Sequence, residues 1–410
     1  MNSFEKLLFA PLVSLDNSSF IENLDNISHQ ERNKLFNTII LNKYSPIYLN
    51  YLKSRKISDI LTKNEILLLQ NQSQRFQIQN LEIIKEVLHI DRIFKKHDLN
   101  PIYLKGIALI NEFEDISLRA QFDIDILFPE EEIFKAYQAL KNSGYKEYRA
   151  IEKTLKQLKD YTKTHHHLPE LCRSTNIMIE IHHRVTSIDD FEKCPLSESI
   201  FNNKVSFDFF GTKIFKPSLD DLLVHLILHF SIQNLFSNNL RIFFDIHQIE
   251  KKNNISWEKI YNSNKDAKVK KAILLSLGIL NKNFPISNNF YHLKEKFSEN
   301  FPTDEIIRNC FNQALGQERT EIPIRKFSKI VKNDSFKSFF NEILRSLFLS
   351  KDLVISQTKS SNDLNFYYSS LILFFKRLYL YFFSVIRLIF KTGKVYDDYK
   401  KIKKIQNWID

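Results

Sequence analysis

The hydrophobic period of this chain changes twice, which restricts it to a mixed fold with helical flanks. From Met1 to about Asp98, apolar residues recur at three-to-four spacing with almost no breakers, which predicts helices over residues 28–53 and 64–96. In the second of these, Leu67, Leu68, Leu69, Phe76, Ile78, Leu81, Ile83, Ile84 and Leu88 are expected to line the buried side. Near Asn100 the pattern becomes short and β-prone. Residues 101–104, 122–128, 145–151, 166–171 and 177–185 read as strands, and 205–215 as a hairpin turning at Gly211-Thr212. A helix is expected over 107–113. Another opens at Pro129-Glu130-Glu131-Glu132, with acids favoured by the helix dipole, and stops at Gly144. Pro217 and the N-cap Ser218 return the chain to helical periodicity over 219–230, 240–251, 265–280, 304–313, 334–348 and 364–391. No repeat and no Gly/Ser- or Pro-rich linker interrupts it. The expected class is α+β: a small mixed β-sheet core at 99–216, an N-terminal helical region at 1–98, a helical region at 217–300 walling the pocket, and a C-terminal helical region at 301–410.

The chemistry concentrates in that core. In Phe122-Asp123-Ile124-Asp125-Ile126, alternate side chains share a face, so Asp123 and Asp125 point the same way, roughly 6–7 Å apart at strand rise. Two carboxylates on one otherwise apolar strand repel each other unless a cation sits between them, and a divalent metal is the natural one. A solvated strand end is the plainer reading. Glu180 lies between Ile179 and Ile181, where a buried acid needs a partner or a metal. His182 shares its face and is a possible pocket residue. The chain has six glycines in 410 residues, so Gly106, at a strand-to-helix junction after Lys105, is informative. A backbone without Cβ there admits an anion, Lys105 adds charge, and Arg119 either touches phosphate or pairs with a carboxylate.

The run Tyr103-Leu104-Lys105-Gly106, Arg119, Asp123-Ile124-Asp125-Ile126-Leu127 and Ile179-Glu180-Ile181-His182 resembles an uncharacterised nucleotidyltransferase family of bacterial proteins in the DNA polymerase β-like superfamily. The helix containing His225 and His229, and the Asp245-Ile246 pair, resemble the helical segment that follows in that family. The resemblance implies an NTP bound with Mg2+ (or Mn2+), ligated by Asp123, Asp125 and Glu180. Lys105 and Gly106 would grip phosphates, and an NMP would pass to an unknown acceptor (a small molecule, peptide, sugar, protein or RNA end) with release of pyrophosphate. Two other readings are a catalytically silent nucleotide- or partner-binding module and an RNA-modifying, toxin-like protein.

The remaining features bound these readings. The net charge of +11 favours polyanionic partners. Cys172, Cys194 and Cys310 are far apart with no CxxC spacing, which argues against a zinc ribbon or a disulfide framework and for a reducing, cytoplasmic setting. The first residues lack a basic-then-apolar pattern, so no secretory signal is expected. His165-His166-His167 cannot all face one ion from a strand. His225 and His229 are spaced one turn apart on a helix apolar enough to bury them. Residues 371–391 are apolar but carry Lys376, Arg377 and Arg387, so no span is expected. An amphipathic helix packed on the body, or lying on an anionic membrane surface, fits better.

Overall fold

The computed structural model describes residues 1–148, 153–173, 177–187, 191, 195–236, 240–284, 289–315, 371–372, 374–375 and 393–409. Its helices are α1 (Ser3–Leu8), α2 (Ala10–Val13), α3 (Asn17–Asp25), α4 (His29–Leu41), α5 (Ser45–Ser54), α6 (Lys63–Lys96), α7 (Lys105–Ala108), α8 (Ile133–Asn142), α9 (Leu155–Thr162), α10 (Pro195–Asn203), α11 (Leu219–Leu228), α12 (Arg241–Lys252), α13 (Trp257–Ser263), α14 (Ala267–Asn283), α15 (Asn289–Lys296), α16 (Asp304–Ala314) and α17 (Gly393–Ile409). The strands are β1 (Ile102–Tyr103), β2 (Asp123–Leu127), β3 (Lys146–Glu147), β4 (Leu171–Cys172), β5 (Met178–His182), β6 (Val205–Phe209) and β7 (Thr212–Lys216). They form one mixed sheet in the order β3-β4-β5-β2-β1-β7-β6, with β2–β5 and β1–β7 parallel and the other pairs antiparallel. The fold is α+β.

The chain divides into two compact units. One comprises Met1–Tyr148, Lys153–His229 and Asn239–Phe301; the other comprises Arg149–Glu152, Phe230–Asn238 and Pro302–Asp410. In the second unit α16 packs on α17, and Lys404 pairs with Glu305. The helix expected at 334–348, and all but four residues of that at 364–391, lie outside the described residues. No helix among the described residues is long and apolar enough to cross a membrane.

In the first unit, the sheet's apolar face is built by alternation. Ile124 and Ile126 of β2 and Ile179 and Ile181 of β5 pack with Ile83, Val87, Ile90 and Phe94 of α6 and with Ile133, Tyr137 and Leu140 of α8. The intervening positions, Asp123, Asp125, Glu180 and His182, occupy the opposite face. The central strand pair therefore sorts its side chains into core and site with no irregularity.

Several helices depart from expectation for identifiable reasons. The predicted helix over 28–53 is two helices, because Pro46 enters at the start of α5 and cannot continue a helix from before it. The break is closed by Tyr44 N donating to Ile39 O at 2.9 Å, with Lys43 left-handed at φ 65°. On α6, Leu69, Phe76, Ile83 and Ile84 are buried and Leu88 is partly buried, but Leu67, Leu68, Ile78 and Leu81 are 51–60% exposed. A single helix face buries only a narrow stripe, and the predicted set wrapped around the helix. The helix expected over 107–113 is the four-residue α7, begun at Lys105, followed by a 3-10 turn at Ile110–Glu112. Glu130, Glu131 and Glu132 precede α8 rather than forming its first turn. The strand expected over 166–171 reduces to β4 and a single bridge between His167 and His182.

Candidate active site

Parallel pairing of β2 with β5 places Asp125 opposite Glu180, Asp123 opposite Met178 and Leu127 opposite His182. Asp125 of β2 and Glu180 of β5 thus become direct neighbours. The ligand atoms of Asp125, Glu180 and His182 all lie within 4.8 Å of one another. Asp123 stands one pleat back along β2, at the edge of an adjoining cavity. Lys105 reaches the same point from the β1–α7 junction, where Leu104 N donates to Asp125 O at 2.9 Å. Its Nζ donates to Asp125 Oδ1 at 2.6 Å, and the residue itself is left-handed at φ 42°. An L-residue held there costs of order 1–3 kcal/mol, and such strain gathers at functional sites.

His182 is 1% exposed, and its Nε2 lies 3.0 Å from Asp125 Oδ1 and 3.2 Å from Glu180 Oε2. That nitrogen therefore carries the proton and donates between the two carboxylates. The Nδ1 of His182, and that of the buried His225 on α11, have no partner among the described residues. Burial pushes the His182 pKa down, but the bonds to Asp125 and Glu180 outweigh it and raise it. Burial likewise opposes ionisation of Asp125, but Lys105 and His182 hold it well below the usual carboxylate range. Glu180 is also lowered, against its burial, chiefly by the bond from His182. Asp123 goes the other way: burial and the neighbouring Asp125 charge raise it. A divalent cation would reverse that, since its charge favours the ionised acids.

The histidine run diverges. His165 stacks on Tyr161 at 3.7 Å, while the rings of His166 and His167 each sit 5.3 Å from that of His182. Burial, then the nearby His182, pushes His166 down to about 2, so it is neutral.

Gly106 has a different immediate explanation from the one its position suggests. A Cβ there would meet Arg119 Nη1 at 3.0 Å and Gln121 Oε1 at 3.2 Å, so the glycine is what lets these side chains close over the junction. Arg119 Nε and Nη2 donate to Asp245 Oδ1 and Oδ2 at 2.8 and 3.0 Å, so Arg119 pairs with a carboxylate. The loop carrying it is pinned by Asn80 of α6, whose Nδ2 donates to Ile116 O and Arg119 O while its Oδ1 accepts from Gln121 N.

Sequence reasoning passed over three residues near Asp123. Arg241, first residue of α12, donates from Nη1 to Ala120 O at 2.9 Å. Lys43 lies 3.4 Å from the Phe122 ring centroid. Gln121 is 3% exposed, and its Oε1 has no partner among the described residues. Arg241 had a faint signal: a cation in the first turn of a helix runs against the dipole. Lys43 and Gln121 had none.

The carboxylates of Asp125 and Glu180, with that of Asp123 beside them, are oxygen donors that could hold a metal ion, while the His182 Nε2, which donates its proton to two of them, stays outside that donor set. No curated protein and no solved structure matches the chain. A family model described as "Uncharacterised nucleotidyltransferase" matches residues 28–285, which takes in α4 to α6, the whole sheet and the helices through α14. That match covers more than half of the chain and all of the site just described, and the chain belongs to this nucleotidyltransferase family.

Proposed function

We propose that this protein moves a nucleoside monophosphate from an NTP to an acceptor hydroxyl. The observation that carries this reading is the register of β2 on β5, which sets Asp125 beside Glu180 on the face that also bears Asp123, with Lys105 in contact. Asp123, Asp125 and Glu180 would hold a divalent cation. When bound, it would supply charge neutralisation and Lewis-acid polarisation of the phosphates. His182 orients the two inner carboxylates through its shared proton. Lys105 offers an ammonium beside them.

In the transfer, the acceptor oxygen bonds to the α-phosphorus as the bond from that phosphorus to the α–β bridging oxygen breaks. Pyrophosphate leaves with the bonding electrons. The acceptor's proton goes to Glu180, whose side chain is 17% exposed against 1% for Asp125 and is the reachable base of the two. The test is pyrophosphate release from each of the four NTPs with magnesium, comparing wild type with Asp125→Asn. Release from wild type alone is expected, and equal release from both proteins removes the mechanism.

One observation favours a second reading, binding without turnover. Lys105 Nζ pairs with Asp125 at 2.6 Å, so the acid cluster has a cation of its own. NTP binding with no pyrophosphate release would select it.

A further inference from the structure

Beside Asp123 lies a cavity of about 70 Å³, lined among others by Gly106, Arg119, Gln121 and Arg241. It is far smaller than a pocket for a drug-sized ligand, which takes ~300 Å³ or more. It has room for a phosphoryl group but not for a nucleobase with its sugar.

Its charge is not balanced from within. Asp245 takes Arg119, and Asp125 takes Lys105. Among the described residues no carboxylate lies within ion-pairing distance of Arg241 or of Lys43; Arg241 feels the field of Asp245, already bonded to Arg119, and then that of Asp123, and Lys43 feels that of Asp123. Arg241 also stands at a helix N-terminus, where a cation is disfavoured and an anion welcome. Gln121 brings a buried amide whose Oε1 meets no donor among the described residues, and a buried polar atom left unpaired costs about 1–3 kcal/mol; turning the amide over puts its Nε2, a donor suited to a phosphoryl oxygen, where Oε1 stands. Lys43 holds a left-handed backbone that Asn or Gly adopts more cheaply.

We propose that this cavity is a phosphoryl-anion subsite formed by Arg241, the Nη1 edge of Arg119 and the Gln121 amide, with Lys43 adding charge from the α4–α5 break. The subsite deepens the nucleotidyl-transfer reading by assigning the grip on the phosphate tail to residues from both helical flanks of the sheet. It binds either the tail of a nucleotide or a free phosphate anion.

The test uses the full chain, first without divalent metal, and inorganic pyrophosphate as the probe, read by calorimetry and by thermal shift. Wild type should bind. Arg241→Gln should bind about ten- to a hundredfold more weakly, because a charge-assisted donor is lost. Arg241→Lys should recover part of the loss. Lys43→Asn should weaken binding roughly two- to fivefold while its own Tm stays the same or rises, which a merely structural lysine would not show. If Arg241→Gln does not fold, Lys43→Asn and Gln121→Leu carry the test, and wild-type pyrophosphate affinity in both overturns the proposal. Equal pyrophosphate affinity in folded Arg241→Gln and wild type also overturns it.

ATP, ADP and AMP separate the two sources. A falling order of affinity that Arg241→Gln flattens identifies the nucleotide tail; binding of pyrophosphate with no such order identifies a free anion. Loss of pyrophosphate binding in Arg241→Gln, with no turnover by wild type, would keep the subsite and remove nucleotidyl transfer. Wild-type turnover and pyrophosphate affinity in Arg241→Gln would do the reverse.

Discussion

Arg119 and Asp245, 126 positions apart, form a two-pronged ion pair that is almost wholly buried. It ties the loop before β2 to α12, and so holds the sheet and the helix that together line the phosphoryl cavity. Breaking such a pair leaves one charge stranded. Asp245→Ala is therefore expected to cost about 3–5 kcal/mol of unfolding free energy, measured by urea titration. Replacing both partners, as Arg119→Met with Asp245→Leu, should recover most of it. If the double variant were as unstable as Asp245→Ala, the stranded-charge account would fail.

Asn80 makes three hydrogen bonds to the same loop from the inside of α6. Asn80→Leu takes the side-chain partner from two carbonyls and one N–H, two of these bonds being buried and the one to Ile116 O part-buried. A loss of about 3 kcal/mol is expected, with the phosphoryl cavity loosened as well. Denaturation midpoints check the first part, and pyrophosphate affinity at a temperature where the variant is folded checks the second.

Metal should stabilise the folded chain through the inner acids. At a magnesium or manganese concentration of a hundred times its dissociation constant, linkage predicts a gain of about 2.7 kcal/mol, removed by EDTA. Asp125→Asn and Glu180→Gln should lose most of the metal-dependent Tm shift. Lys105→Met should bind the metal more tightly than wild type, because an ammonium touching Asp125 no longer repels the ion. An unchanged Tm shift in Asp125→Asn would remove the cluster as the metal site.

Glu250 should set part of the pH dependence of stability. Burial pushes its carboxyl up to about 7 from the usual 4.5, although Trp257 Nε1 donates to it at 2.6 Å and opposes the shift. The folded chain keeps this proton where the unfolded chain has lost it. Its contribution is therefore complete below about pH 4.5 and disappears as pH rises through 7. Glu250→Gln should flatten the stability curve across that window, and an identical slope in variant and wild type would contradict the assignment.

The amino-acid order by itself determined the two-period plan of the chain and the pairing of acids on a face. Strand alternation leaves Asp123 and Asp125 no choice but to point together, and the same rule puts Glu180 and His182 together. Local chemistry also marked the helix start at Ser218, whose side chain accepts from Asp221 N. What the local pattern could not contain was which strand lies beside which. The inner cluster of Asp125, Glu180 and His182 exists only because β2 pairs with β5 in one register, and a one-residue slip would send Glu180 into the core. Lys43, Gln121 and Arg241 carry no periodic signature, and they meet because α4–α5, the loop before β2 and α12 pack on a common centre. A contact between such distant residues is decided by the burial and pairing energy of the whole fold, to which the few residues around each contribute almost nothing on their own.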